Sequence, residues 1–123
     1  MKHISALIIE DSKYSADLNV RELKKAGFSV DYKIAMGRVA MEKALRDNQW
    51  DIILSDNSMP NFNALQALEI RNRMAGDVPF IIISEDISGE DVDRALKDGC
   101  SICIAKENLP DLREYVKKLF TSF

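Results

Sequence analysis

The chain has 123 residues, of which 46% are hydrophobic and 30% are charged, a balance typical of a soluble globular domain. Its net charge of -3 argues against a strong nucleic-acid or anionic-membrane surface, because such proteins usually carry a clustered basic excess. No apolar run approaches the roughly 20 residues that span a bilayer, and the start of the chain lacks the apolar core of a secretory signal. We therefore expect one cytoplasmic domain over residues 1–123, with no direct binding to nucleic acid or membrane.

The first half of the chain alternates between strand and helix patterns. A short apolar run at residues 6–9 predicts a strand, and the following helix is expected to begin near Ser12, a favourable N-cap, and to stop at Gly27. Residues 28–34 alternate between apolar and polar side chains, which predicts a second strand with one covered face. Apolar residues at helical spacing predict a second helix at residues 39–45.

The second half repeats this alternation. Its predicted elements are, in chain order, a strand at residues 51–56, a helix at residues 65–74, a strand at residues 78–84, a helix at residues 90–98, a strand at residues 100–105 and a helix that begins at Asn108 or Pro110. The run at residues 78–84 is continuously apolar, which is typical of a parallel strand buried on both faces. Five strands, each followed by a helix, predict an α/β fold: a doubly wound (βα)5 parallel sheet with helices on both faces.

Polar residues with complementary chemistry follow four of the predicted strands. They are Glu10 and Asp11 after the first strand, Asp56 after the third, Ser84 after the fourth and Lys106 after the fifth. Ligands of open parallel sheets bind beyond the carboxyl ends of the strands, so these residues are expected to share one edge. Asp51 begins the third strand, about 17 Å from its end at the usual rise per residue, and cannot join them.

If the first and third strands are neighbours, three carboxylates converge on one small pocket. Like charges at that distance repel unless a cation neutralises them, and Mg²⁺ prefers oxygen ligands of this kind. Lys106 would add a positive charge and Ser84 a hydroxyl donor. Such a pocket suits phosphoryl transfer onto a carboxylate nucleophile.

The residues from Ile8 to Asp11, those from Ile53 to Pro60, Ser84 and Lys106 resemble the motifs of response regulator receiver domains in two-component signalling. The resemblance covers essentially the whole chain, residues 1–123. It implies a flavodoxin-like sheet with the strand order 2-1-3-4-5, which is one of the two common strand orders of doubly wound folds.

The resemblance also implies roles for single residues. Asp56 would be the phosphoacceptor, and Ser84 and Lys106 would contact the phosphoryl oxygens. The ligands of Mg²⁺ would be Glu10, Asp11, Asp56 and the backbone carbonyl of Ser58. Such a domain is not an enzyme beyond phosphoryl transfer to itself and autodephosphorylation.

The same resemblance implies partners. A histidine kinase or a histidine phosphotransfer protein would donate the phosphoryl group, because the chain's single histidine, His3, lies before the first predicted strand. A downstream protein or a fused output domain would bind the surface of the fourth helix, fifth strand and fifth helix, where Arg94, Lys97 and Tyr115 are expected. Residues 59–68 and 106–109 resemble receivers attached to larger sensor or hybrid kinases.

Three positions depart from the family pattern. Glu107 follows Lys106 where the family usually has a proline, so a trans peptide bond is expected there. Cys103 stands where an aromatic residue often takes part in switching. Glu85, large and anionic, follows Ser84 where a small residue is usual.

Cys100 and Cys103 are spaced as CxxC, a pattern that redox and metal sites share. If both lie on the predicted strand at residues 100–105, their side chains point to opposite faces about 10 Å apart, which is too far for a disulfide. We therefore expect two thiols that pack as small hydrophobic groups.

Other functions remain open. A receiver-like scaffold that is never phosphorylated would keep the same fold. A phosphatase of the haloacid dehalogenase type also uses an aspartate nucleophile, but its Asp-x-Asp motif follows the first strand, where this chain has Glu10-Asp11-Ser12. A flavodoxin-like electron carrier would need a loop rich in Ser, Thr and Gly at that place to hold a phosphate.

Overall fold

The computed structural model describes residues 2–57 and 59–121. Its strands are β1 (Lys2–Ile9), β2 (Phe28–Ala35), β3 (Ile52–Asp56), β4 (Phe80–Ser84) and β5 (Ile102–Ala105). Its helices are α1 (Lys13–Lys25), α2 (Arg38–Asp47), α3 (Ala64–Met74), α4 (Gly89–Lys97) and α5 (Pro110–Thr121), with a single 3-10 turn at Lys106–Asn108. The strands form one parallel sheet in the order β2-β1-β3-β4-β5. This confirms the predicted doubly wound α/β fold and its strand order.

The sheet carries a hydrophobic core on each face because successive strand residues point to opposite sides. Leu7 and Ile9 of β1 face the cluster that α2, α3 and α4 cover, whereas Ala6 and Ile8 face the cluster that α1 and α5 cover. β3 and β4 are buried along their whole length, as strands covered on both faces should be. No helix in the described ranges has both the length and the apolar character needed to cross a membrane.

The ends of α1 follow the predicted signals. The Ser12 side chain accepts a hydrogen bond from the Ser15 amide at 3.2 Å, and Gly27 follows the helix with a φ of 100°, a left-handed conformation that favours glycine. At α5 the sequence left two starts open, and the helix begins at Pro110. Proline suits the first helical position because its missing N–H would have no partner there.

β1 is longer than predicted. It begins at Lys2 because residues 2–5 pair with β2, whereas the pairing with β3 begins only at Ala6. Residues 2–5 therefore have a strand partner on one side only, and Lys2 and His3 are exposed. For this reason the segment shows no continuous apolar run in the sequence.

β5 is shorter than predicted, and this corrects the interpretation of the cysteines. The amides of Gly99 and Cys100 donate to the carbonyls of Leu96 and Ala95 at 3.3 and 2.9 Å, and Gly99 has a φ of 109°. This is a Schellman turn that ends α4, so Cys100 lies in the turn and not on the strand. The prediction that the two thiols point to opposite faces of the sheet was wrong: both pack in the core cluster that α2, α3 and α4 cover.

Candidate functional site

Two buried carboxylates lie side by side at the carboxyl edge of the sheet. β1 and β3 are neighbours with Ile9 opposite Ser55, so the residues that come next, Glu10 and Asp56, meet at this edge. Glu10 is 1% exposed and Asp56 is 6% exposed. Asp11 is exposed at the rim, and one carboxylate oxygen from each of the three residues lies within 4.8 Å of the others. The predicted convergence of three carboxylates is present.

Lys106 supplies a positive charge to the two buried carboxylates. It directly follows β5, and its Nζ lies 3.5 Å from Asp56 Oδ1 and 3.7 Å from Glu10 Oε1. Both distances are those of ion pairs and exceed the usual range for a direct N–H···O hydrogen bond. One ammonium group therefore faces two carboxylates, with the third at the rim.

The pKa of Glu10 reflects its burial and its position beside Asp56. Burial raises the pKa of its carboxyl to about 7, and the hydrogen bond with Asp56 and the Asp56 charge add to the rise. The Lys106 charge and the backbone of Ser12 act in the opposite direction but do not offset it. Near neutral pH, Glu10 is therefore close to the midpoint of its titration. A metal cation in the pocket would compete with the proton for this carboxylate.

One oxygen in the pocket has no hydrogen-bond partner. Asp56 Oδ1 is buried, yet no donor in residues 2–57 and 59–121 reaches it. A buried acceptor without a partner costs about 1–3 kcal/mol, and such groups call for an explanation, often a ligand or ion. The oxygen-only donor set of Glu10, Asp11 and Asp56 fits Mg²⁺, which binds through one or two carboxylates and keeps several waters.

Ser84 reaches the same edge from the neighbouring strand. It ends β4 and is 2% exposed, and β4 lies beside β3 with Asp56 opposite Ile83. The Ser84 hydroxyl accepts a hydrogen bond from the Asp86 amide at 3.3 Å. The hydroxyl group is therefore joined to the loop that precedes α4.

The other positions singled out in the sequence lie as follows. Asp51 is at the opposite end of β3, where its carboxylate accepts a hydrogen bond from the Ser5 amide at 2.8 Å, and it takes no part in the site. Glu85 is exposed. No cis peptide bond occurs in the described residues, as expected for Glu107. Ser58 lies outside the described residues.

The loop between β3 and α3 is held by contacts that the sequence did not predict. The Asn57 side chain accepts a hydrogen bond from the Ala64 amide at 3.3 Å, and the guanidinium of Arg38 lies 5.3 Å from the centre of the Phe62 ring, within cation–π range. The polar Asn57 between a buried strand and a helix start was a weak signal. The contact between Arg38 and Phe62 joins the first residue of α2 to the loop before α3 and leaves no signal in the sequence.

Comparison with known proteins gives a consistent result. Residues 6–117 match the family described as the response regulator receiver domain. The chain is 39% identical over 82 residues to a protein-glutamate methylesterase/protein-glutamine glutaminase of Treponema pallidum, which is 66% of this chain and 20% of that protein. It is 29% identical over 119 residues to a two-component response regulator of Oryza sativa subsp. japonica, covering 94% of this chain and 86% of that protein.

Several relatives are much longer than this chain, which spans 4–20% of the lengths of four that it matches. Among solved structures, a response regulator receiver domain protein from Methanospirillum hungatei superposes with a TM-score of 0.83 at 21% identity, covering 98% of this chain and 96% of that one. This likeness shows the same fold. Together with the family match over residues 6–117, it leads to one conclusion: the chain belongs to the response regulator receiver domain family.

Proposed function

We propose that this receiver is a phosphorylation-dependent signalling domain in which Asp56 accepts a phosphoryl group. The observation that carries the proposal is the group of three carboxylate oxygens within 4.8 Å of one another with Lys106 Nζ 3.5 Å from Asp56 Oδ1. A buried carboxylate oxygen without a hydrogen-bond partner is available as a nucleophile, and a cation lies beside it.

The transfer would use the residues at the strand ends. A carboxylate oxygen of Asp56 attacks the phosphorus, the bond between phosphorus and the donor's imidazole nitrogen breaks, and the imidazole leaves with the bonding electrons. Lys106 then balances charge on the phosphoryl oxygens, and the Ser84 hydroxyl donates to one of them. Mg²⁺, held by Glu10, Asp11, Asp56 and the Ser58 carbonyl, would neutralise negative charge on the carboxylates and the phosphoryl group.

The donor would be a separate protein, a histidine kinase or a histidine phosphotransfer protein. The chain has one histidine, and His3 lies at the start of β1, seven residues before Glu10. At the usual rise per residue this is about 23 Å from the pocket. The His3 ring is also engaged by Asp31 at 3.0 Å. An internal phosphohistidine is therefore remote from Asp56.

A partner would recognise the phosphorylated state through the surface formed by α4, β5 and α5. Ser84 accepts a hydrogen bond from Asp86 in the loop before α4, so a hydroxyl that turns toward a phosphoryl group would break this bond and shift a population between two states. Arg94, Leu96 and Lys97 of α4 are exposed, and Leu96 adds an apolar side chain to this surface. Tyr115 of α5 packs partly against the core.

A downstream protein or a fused output domain would bind this surface, and the domain would work in the cytoplasm without contacting nucleic acid or membrane itself. Fused domains would also account for any further activity, since the receiver transfers the phosphoryl group only to itself.

The test is incubation with Mg²⁺ and a small acyl phosphate, followed by intact mass measurement. We expect one added phosphoryl group, none in Asp56→Asn, and an undiminished adduct in Asp51→Asn, which makes the same change at the other end of the same strand. No adduct with any donor, in a folded protein, would favour the receiver-like scaffold. Rapid multiple turnover of phosphate esters would favour the haloacid dehalogenase type of phosphatase.

A further inference from the structure

β2 is an edge strand of the sheet, and one side of its backbone faces away from every other described strand. The strand order places β2 and β5 at the two edges, and β2 lies beside β1. The carbonyl of Ala35 accepts a hydrogen bond from the Glu10 amide at 3.1 Å, so the backbone groups of Ala35 point toward β1. Because this direction alternates along a strand, the N–H and C=O groups of Val30, Tyr32 and Ile34 point outward from the sheet.

The middle of this edge is open on both faces of the sheet. Tyr32 is 44% exposed, and the Asp31 side chain is 79% exposed although its Oδ2 lies 3.0 Å from His3 Nε2. A cavity of about 300 Å³ lies between Tyr32 and α1 on one face. A second cavity, of about 310 Å³, lies between β2 and the loop that follows α2, where Asp31 and Lys33 line it. Neighbouring elements therefore leave room beside the strand.

Two opposite charges lie at the centre of the open edge. An exposed edge strand is a template for pairing with another chain, and proteins often protect such strands with charged side chains. Asp31 and Lys33 are two residues apart, so their side chains share one face of the sheet, and both are exposed. Whether they prevent pairing or favour it depends on which residues of a second strand lie opposite them.

For a second copy of β2, symmetry limits the possible registers. Two copies related by a two-fold axis run antiparallel, and the position of the axis decides which residues face each other. An axis at Asp31 or at Lys33 would place like charges directly opposite, which is destabilising. An axis at Tyr32 instead places Asp31 of each copy opposite Lys33 of the other, and an axis nearer either end of β2 would shorten the paired segment. The register centred on Tyr32 is therefore the self-complementary one.

We propose that the chain forms a symmetric dimer in which two copies pair their β2 strands antiparallel about an axis at Tyr32. The outward backbone groups of Tyr32 bond to those of the second Tyr32, and those of Val30 bond to those of Ile34. Asp31 and Lys33 fall at the intervening non-hydrogen-bonded pairs, where opposite side chains lie closest. The two five-stranded sheets become one continuous sheet through an interface that uses the same residues of both copies.

This dimer leaves the proposed phosphorylation site and the proposed output surface accessible. β5 lies at the opposite edge of the sheet from β2, so the surface of α4, β5 and α5 lies at the far end of each copy. Because the paired strands are antiparallel, the two Asp56 pockets open at opposite edges of the joined sheet. The interface uses β2 and not the carboxylate pocket, so the proposal does not depend on phosphorylation and its test needs no phosphodonor.

Sedimentation velocity over a dilution series from millimolar to micromolar concentration measures the assembly. We expect an equilibrium between monomer and dimer that depends on concentration, because a short edge interface is small and transient. Asp31→Lys and Lys33→Glu each place like charges opposite one another twice, so each should raise the dissociation constant by about tenfold or more. Lys118→Glu makes the same charge change at an exposed position of α5 and should leave the dissociation constant unchanged.

An equimolar mixture of the two β2 charge variants tests the register. In a mixed pair every charge at positions 31 and 33 faces an opposite charge, so the mixture should form heterodimers at concentrations where each variant alone is monomeric. This recovery also shows that both variants are folded. A mixture that stays monomeric, or a Lys33→Glu protein that dimerises as tightly as the wild type, would overturn the proposed register.

Tyr32→Pro tests the backbone pairing. It removes an outward N–H that takes no part in the pairing with β1, a position at which an edge strand tolerates proline. We expect a folded monomer by circular dichroism and sedimentation. A Tyr32→Pro protein that still dimerises, or an assembly larger than a dimer, would overturn the proposal. So would a wild-type chain that is monomeric at every concentration, which would leave this edge to a strand of a different protein.

Discussion

Arg71 and Asp56 are buried to the same extent, 6% exposed each, but their surroundings differ. Arg71, on α3, donates to the carbonyls of Gly76, Val78 and Gly99 at 2.8, 3.2 and 2.6 Å, and only its Nε lacks a partner. Asp56 keeps an oxygen without a hydrogen bond and shares a single lysine with Glu10.

Burial alone therefore does not distinguish a structural charge from a reactive one. Arg71 holds two turns together, the one before β4 and the one before β5, because its donors are matched to carbonyls. The Asp56 pocket is left short of donors and of positive charge. The excess of carboxylates over cations at the carboxyl edge of the sheet, where burial and the neighbouring Asp56 raise the pKa of Glu10, marks the candidate functional site.

The largest expected effect is the loss of stability on replacing Arg71, compared with the same replacement at Arg73 on the same helix. Arg71→Met should lower the free energy of unfolding by about 4 kcal/mol, because three backbone carbonyls lose their donor. Arg73→Met on the same helix should change it by less than about 1 kcal/mol, because Arg73 is an exposed partner of Glu42. Urea denaturation measures both, and equal losses would contradict the structural role of Arg71.

The next effect is a pH dependence that originates in the Asp56 pocket. The folded pKa of Glu10 is about 7, above its ordinary value of 4.5, so the folded state binds more protons than the unfolded state between these values. The contribution of Glu10 to the free energy of unfolding should be fully present below pH 4.5. It should be lost as pH rises through 7, which lowers the free energy of unfolding by up to about 3 kcal/mol. Urea denaturation in a chelator at pH 5 and pH 8 measures this fall, and Glu10→Gln should remove most of it.

Added Mg²⁺ sharpens the same experiment. It should restore stability at pH 8 more than at pH 5, because the metal binds the deprotonated carboxylates. A wild-type fall that Glu10→Gln leaves unchanged would contradict the assignment of the effect to this carboxyl.

The smallest effect concerns the turn that Arg71 holds. Gly99 has a φ of 109°, and a Cβ there would lie 2.8 Å from an Arg71 guanidinium nitrogen, so Gly99→Ala should cost about 2 kcal/mol. Gly89→Ala is the matched control, since a Cβ at Gly89 meets nothing within 4 Å and alanine favours a helix. Thermal unfolding of the two variants compares them, and a Gly99→Ala protein as stable as Gly89→Ala would show that the turn is not constrained.

The sequence predicted most of the fold because buried parallel strands are apolar runs and the helix ends carry ordinary signals such as Ser12 and Gly27. It failed where partners are non-local. Lys2 and His3 belong to β1 only because β2 pairs with them, and nothing within the segment itself indicates this. Cys100 left the predicted strand because the Schellman turn continues one residue beyond Gly99.

In the candidate site, too, the sequence predicted what local signals determine and missed what depends on distant partners. Glu10, Asp56 and Lys106 were expected together because parallel strands end at one edge, and the structure brings them together. Arg71 was missed, although it lies four residues after Ala67 and three after Leu68, on the buried face of α3. A charged residue on an apolar helical face was the available signal, but the carbonyls that satisfy it lie in two distant turns.

The most direct test of the account locates the phosphoryl group chemically. After reaction with an acyl phosphate and Mg²⁺, borohydride reduces an aspartyl phosphate to homoserine, and peptide mass spectrometry identifies the position. We predict homoserine at position 56 and nowhere else, and none in Asp56→Asn. Reduction at Asp11 or Glu10, or phosphate on Ser84 that resists borohydride, would contradict the assignment of the unsatisfied Asp56 carboxylate as the phosphoacceptor.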